Sequence, residues 1–256
     1  MEKKVLFLAS LFLATATFAQ DGLTSKKGEA YLPEAGDYVI GFDGTPFLNY
    51  AGNMFNGNTN NSLNATWQNG MTNTLTGKVY KDAQTAYRGK LRIGFGSTTT
   101  KDVINDDVTD EYKTSAMNIT LGAGIEKRKG NTRIQGFYGA EALLMIGSSS
   151  QSTDFGEDLS ADNNVGPRIT ETKAGSTFGL AARAFAGVEW FVAPKVSLAA
   201  EYGWGLLISS TGNGEVTSEN FDGSNVVETT TETGGNSSFG IDTDNNGGSI
   251  SILFHF

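Results

Sequence analysis

Apolar residues recur at every second position through most of the chain. This is the mark of β-strands that keep one apolar face. The clearest run is Phe178, Leu180, Ala182, Ala184, Ala186, Val188, Trp190 and Val192, interleaved with Thr177, Gly179, Ala181, Arg183, Phe185, Gly187 and Glu189. Beyond the turn Ala193-Pro194-Lys195, Val196, Leu198, Ala200, Tyr202, Trp204, Leu206 and Ile208 share one face. Similar runs lead through Tyr87–Phe95, Met117–Ile125 and Ile134–Ile146. Helical spacing would mix the two sets within one turn.

Turn chemistry divides these runs into strands at about 36–48, 71–81, 85–100, 111–127, 131–150, 171–192, 195–210 and 246–256. Short connections fall at 81–84, 128–131 and 193–195, and long Asn/Gly/Ser/Thr/Asp stretches at about 49–70, 101–110, 151–170 and 211–245. Short turns at one end and long loops at the other predict an all-β fold, an eight-stranded antiparallel up-and-down transmembrane β-barrel. The long loops do not repeat in sequence, which excludes a solenoid or propeller.

A soluble ligand-binding barrel would turn its apolar face inward, whereas a membrane barrel turns it toward lipid. The polar face here is made of Gly, Ala, Ser and Thr with single charges between them. A wet surface would carry more Lys and Glu. A narrow lumen needs small residues and paired charges. Both signs are on the inward set, which is expected to form an ion-pair network from Asp43, Arg88, Arg92, Glu126, Arg133, Glu141, Arg183, Glu189 and Glu201, with Lys90 beside them. Arg92, Glu141, Arg183 and Glu201 fall near mid-wall, and Arg88, Glu126, Arg133 and Glu189 nearer the short turns, so a two-layer plug is expected.

Composition narrows the chemistry. The chain has 256 residues with 33 glycines, no cysteine, one histidine and a net charge of −9. That excludes disulfides and thiolate chemistry, and it disfavours a nucleic-acid partner held by basic surface. A single histidine leaves no basis for a His-rich zinc site or a Ser-His hydrolase. No stretch after the first twenty residues is apolar enough for a spanning helix. Lys3-Lys4, the apolar Val5–Ala16 and small residues before Gln20 form a secretory signal peptide over 1–19. Residues 20–35 are then a periplasmic segment, and 36–256 the barrel.

The leader, the eight-strand meander and the terminal Phe254-His255-Phe256 resemble bacterial outer-membrane β-barrel proteins of the OmpA/OmpX-like superfamily. Phe47-Leu48-Asn49-Tyr50 and Gly52–Gly57 resemble its Bacteroidetes members. The resemblance implies residence in the cell outer membrane and an assembly signal at Phe254 and Phe256, read by the outer-membrane assembly machinery. Ser251 stands where such a signal often has glycine. No peptidoglycan-binding domain is expected after the last strand.

Other candidate chemistry is thin. Asp242, Asp244 and Asn246 begin a D-x-D-x-N-G calcium pattern, but Leu253 occupies the position of the bidentate glutamate. A polar loop is expected there. His255 should point inward near Glu189 or Arg133 as a structural group. No cofactor and no catalytic residue is expected. The expected role is non-enzymatic: membrane structure, surface interaction or adhesion through the loops, with lipid as partner and a possible extracellular ligand. The alternative is a small porin-like channel for ions or solutes.

Overall fold

The computed structural model describes residues 23–44, 75–105, 107–163, 166–243 and 249–256. These form one antiparallel sheet of twelve strands: β1 (Tyr38–Asp43), β2 (Leu75–Asp82), β3 (Thr85–Asn105), β4 (Val108–Lys129), β5 (Ile134–Asp154), β6 (Arg168–Lys173), β7 (Thr177–Ala193), β8 (Val196–Thr211), β9 (Gly214–Phe221), β10 (Val226–Thr233), β11 (Asn236–Thr243) and β12 (Ser249–His255). A closed ring runs β1-β2-β3-β4-β5-β7-β8-β12 and returns to β1, where Val39 lies opposite His255 and Asp43 opposite Ser251. Closure pairs the backbone of every ring strand on both sides along this belt, which leaves no sheet edge there.

The strands differ from the sequence reading in four places. The run expected at 171–192 is broken at 174–176 into β6 and β7. The run expected at 195–210 continues past 212–213 as β9. The stretch 211–245, expected as loop, contains β9, β10 and β11, and the 101–110 loop shrinks to a turn between Asn105 and Val108. Val and Thr dominate β10, a β-favouring composition. Such a strand needs no alternation when both its faces meet water. Asp244 and Asn246 of the partial calcium pattern, the expected leader, and residues 47–57 lie outside the described residues.

The breaks fall at one level because three backbones crowd together. A Cβ on Gly175 would lie 1.9 Å from the Gly212 carbonyl oxygen, and one on Gly235 would lie 2.4 Å from the Thr211 oxygen. Only glycine fits where backbones approach this closely. Above this bend β6, β9 and β10 extend the same sheet, joined to β5 where Ser150 lies opposite Lys173 and Ser152 opposite Glu171, and β10 is exposed throughout.

Burial shows which face is which. On β7 the even-numbered residues Phe178 to Val188 are exposed, while Gly179, Phe185 and Glu189 are buried. Tyr87–Phe95 on β3 and Met117–Ile125 on β4 each carry an outward apolar series nine residues long, and that on β5, Ile134–Ile146, contains such a stretch in Tyr138–Ile146. That matches the roughly 9–11 residues with which a tilted strand crosses a bilayer. Each series ends at a serine, with Ser148 opposite Met117 and Ser210 opposite Phe178. The next outward residues are Ser97, Ser115, Ser148, Ser176, Ser210 and Ser237 on β3, β4, β5, the β6–β7 break, β8 and β11. Ser97 lies opposite Ser115, and Ser210 opposite Ser237. A row of hydroxyls therefore rims the apolar wall.

Two aromatic-over-glycine contacts tie β5 to β7. Phe137 lies opposite Gly187 and Phe185 opposite Gly139. A Cβ at Gly187 would meet the Phe137 ring at 2.3 Å, and one at Gly139 would meet the Phe185 ring at 2.6 Å. Each ring thus fills the space of the missing side chain across the ladder. The rings face each other at 6.3 Å in a tilted pair.

Candidate functional site

The ring encloses charge. Because successive side chains alternate between faces, even residues of β2, β3 and β4 and odd residues of β5, β7 and β8 converge on the interior. There Lys78, Arg88, Glu126, Arg128, Glu141, Glu189 and Glu201 are buried. They form two layers.

The layer nearer the short turns joins β2, β4 and β7. Lys78 Nζ lies 2.9 Å from Glu126 and 3.4 Å from Glu189, and Arg128 Nη1 lies 2.8 Å from both carboxylates. Arg128 also donates to the Tyr80 hydroxyl at 2.9 Å and to Gln135 Oε1 at 2.9 Å. Ser197 donates to Glu189 at 2.6 Å and contacts His255 Nε2 at 2.9 Å, while His255 lies 3.3 Å from Glu189. Phe191 and Tyr80 flank the imidazole, with centroids 5.2 and 6.2 Å away.

The second layer lies nearer the middle of the wall. Glu141 takes Lys90 at 2.6 Å and Arg183 at 2.8 Å, and Glu201 takes Arg183 at 2.7 Å. Arg88 links the layers, reaching Glu201 at 2.7 Å, Glu141 at 3.3 Å and Glu126 at 3.5 Å. Its guanidinium lies 4.1 Å from the centre of the Phe185 ring, a cation–π contact. Buried pairs of this kind overcome desolvation only when further hydrogen bonds satisfy their remaining sites. Tyr80 and Gln135 supply such bonds to Arg128 and Ser197 supplies one to Glu189, whereas Arg88 Nε, Glu126 Oε2 and Arg128 Nη2 are buried without a hydrogen-bond partner.

Six residues expected for the network meet in it: Arg88, Glu126, Glu141, Arg183, Glu189 and Glu201. Asp43 and Arg92 stand half-buried toward the loop end of β1 and β3. Arg133 is a correction. It lies in the turn before β5, and its guanidinium covers the Tyr31 ring at 3.7 Å. The strand starts at Ile134 and not at 131, so Arg133 escapes the inward alternation. Lys78 and Arg128 are members that the sequence reading missed. The sequence reading puts Arg128 in the 128–131 turn, whereas β4 runs to Lys129 and keeps it two residues from Glu126 on the inward face. Lys78 was legible in the alternation Thr76-Lys78-Tyr80 against Leu75, Gly77 and Val79.

The segment before β1 lies against the short-turn end. Gly36 donates to the Tyr80 carbonyl at 2.8 Å, and Glu29–Glu34, Asp37, Lys195, His255 and Phe256 bound a cavity of about 270 Å³. Beside the lumen, a space of only about 30 Å³ remains between Lys78, Arg88, Lys90 and Glu201. That is room for about one water molecule. Among the described residues, no three or more His, Asp or Glu side chains are grouped to hold a metal ion.

No family model matches the chain, and no curated protein matches it. Among solved structures it is similar to the outer membrane protein OprG from Pseudomonas aeruginosa, at 11% identity over 88% of this chain and 98% of that one, with a TM-score of 0.31. A TM-score that low transfers no property from one protein to the other.

Proposed function

We propose that the chain is an integral outer-membrane protein, an eight-stranded barrel with a sealed lumen and a non-enzymatic role in surface interaction or adhesion. The observation that carries this reading is the outward apolar band that ends at a row of serines while ion pairs fill the interior. In water such a wall would be a far larger exposed apolar patch than soluble monomers show. In lipid the same wall is stabilising, and the closed ladder satisfies the backbone. The short turns and residues 20–35 face the periplasm, and β6, β9 and β10 face the outside. Phe254 on the closing strand and Phe256 just after it are both exposed, which fits a role as an assembly signal.

Against a pore stands the packing of Lys78, Arg88, Arg128, Arg183 and their glutamates across the lumen. Single-channel conductance of the refolded chain in a planar bilayer tests this, with insertion verified by protease protection. The native protein is expected to be silent and Glu141→Ala to leak. Discrete stable openings of the native protein would make it a small channel for ions or solutes instead.

A further inference from the structure

We propose that the outer edge of β10 is a docking edge for an extended basic segment of another polypeptide, one that carries lysine or arginine four positions apart. The proposal rests on the reading that the β6-β9-β10 sheet faces the outside of the cell.

Three observations lead there. The first is the edge itself. Among the described residues β10 pairs with β9 alone, in unbroken register from Val226 opposite Phe221 to Thr233 opposite Gly214, and all eight of its residues are exposed. Natural edge strands are usually blunted by lysine, proline, a bulge or short length. The β10 sequence Val-Val-Glu-Thr-Thr-Thr-Glu-Thr has no lysine, proline or bulge, and its only charges are Glu228 and Glu232. Its free N–H and C=O groups are a template for one more strand.

The second is the charge pattern across the sheet. β6 sets Arg168 opposite Glu219 and Lys173 opposite Glu215, and Arg168 Nε binds Glu219 at 2.5 Å. β10 then sets Glu228 opposite the same Glu219 and Glu232 opposite the same Glu215. Like charges directly opposite destabilise a ladder. Between them Thr217 and Thr230 hydrogen-bond at 3.0 Å. Among the described residues Glu228 and Glu232 have no cationic partner. The cation–anion order of β6 and β9 is completed only by a strand with cations opposite Glu228 and Glu232. Those positions are four apart, hence on one face of an extended chain.

The third concerns where those cations come from. Residues 45–74, 106, 164–165 and 244–248 contain no lysine or arginine, and residues 1–22 contain only Lys3 and Lys4 of the leader. A second copy does not supply them either. Antiparallel pairing of β10 with itself centred on Thr230 sets Glu228 against Glu232, and pairing centred on Thr229 sets Glu232 against Val226. The complement is therefore a basic strand from another molecule, joined by backbone pairing and selected by charge.

The test uses a labelled synthetic peptide, Thr-Val-Lys-Thr-Thr-Thr-Lys-Val-Thr, and fluorescence anisotropy with the full chain in detergent micelles and in phospholipid vesicles. Binding is expected. It should weaken about fivefold for the double variant Glu228→Gln/Glu232→Gln, as two exposed ion pairs of ordinary strength imply. The Glu228→Asp/Glu232→Asp variant should retain it. A peptide N-methylated along one edge should not bind, because it cannot extend the ladder. No binding, or equal binding of the native and N-methylated peptides, would overturn the proposal. Micelle binding reports on the edge alone, whereas protease protection in the vesicles reports on membrane insertion, so either reading can fail without the other.

Discussion

Arg88 on β3 reaches across the lumen to Glu201 on β8, Nη1 to Oε2 at 2.7 Å, joining residues 113 positions apart in the chain. Its partners Glu126, Glu141 and Glu201 lie on three other strands. A one-residue slip of any of these strands would turn its charge to the apolar face. The interior charges therefore specify register as well as filling space.

Removing one carboxylate should expose this dependence. Glu141 faces Arg88, Lys90 and Arg183, so Glu141→Ala leaves three cations short of a partner. The expected loss is about 3–5 kcal/mol, the usual cost of breaking a buried pair. Urea unfolding of the protein in lipid vesicles measures it, and an unchanged midpoint would show that the network is dispensable.

The outward wall should respond to charge according to height. Ala142 lies at the middle of the Tyr138–Ile146 series and is exposed, whereas Ser97 lies beyond the Tyr87–Phe95 series. Ala142→Arg is expected to cost about 2–4 kcal/mol and Ser97→Arg about 0–1 kcal/mol in a bilayer. Equal costs in the same vesicle titration would place the apolar band somewhere other than in lipid.

The aromatic-over-glycine contacts predict a coupled pair. Gly187→Ala drives a methyl into the Phe137 ring and the Ala200 carbonyl oxygen. Overpacking of this kind costs about 1–3 kcal/mol. Phe137→Ala in the same background should recover part of that loss by making room. A double-mutant cycle measures the coupling, and additive losses would mean that ring and glycine act separately.

Acid should loosen the β9–β10 turn. The Asp222 carboxylate accepts from the backbone N–H groups of Asn225 and Ser224, each at 2.8 Å, and these hold its pKa below the ordinary value. A depressed carboxyl contributes stability above its unfolded pKa of about 3.9 and loses it as pH falls through the folded value. The turn should be intact at neutral pH and fray in strong acid. Hydrogen exchange at Asn225 follows this directly, and Asp222→Ala should abolish the acid-dependent change.

What could be read in advance follows the physics of each region. The ring strands, with an exposed apolar face on one side and charge on the other, advertise both faces by period two, and their inward glutamates and arginines are nameable from parity. Lys78 and Arg128 were missed, and Arg133 wrongly included, because strand ends shift by a few residues and one residue decides which way a side chain points. β9, β10 and β11 were hidden for another reason. β10 is exposed throughout, so it shows no alternation and only its β-branched composition marks it, while β9 and the short Phe239-Ile241 alternation of β11 sit within a long polar stretch that reads as loop. The pairing of Arg88 with particular glutamates depends on ring closure, which no local pattern encodes.

In the proposed membrane setting, the staggered row Ser97, Ser115, Ser148, Ser176, Ser210 and Ser237 would act as a waterline. Hydroxyls at the ends of the apolar series would set how deep the molecule floats, without reference to anything built above them. The superstructure of β6, β9 and β10 can therefore lengthen, shorten or exchange residues while the hull keeps its draught.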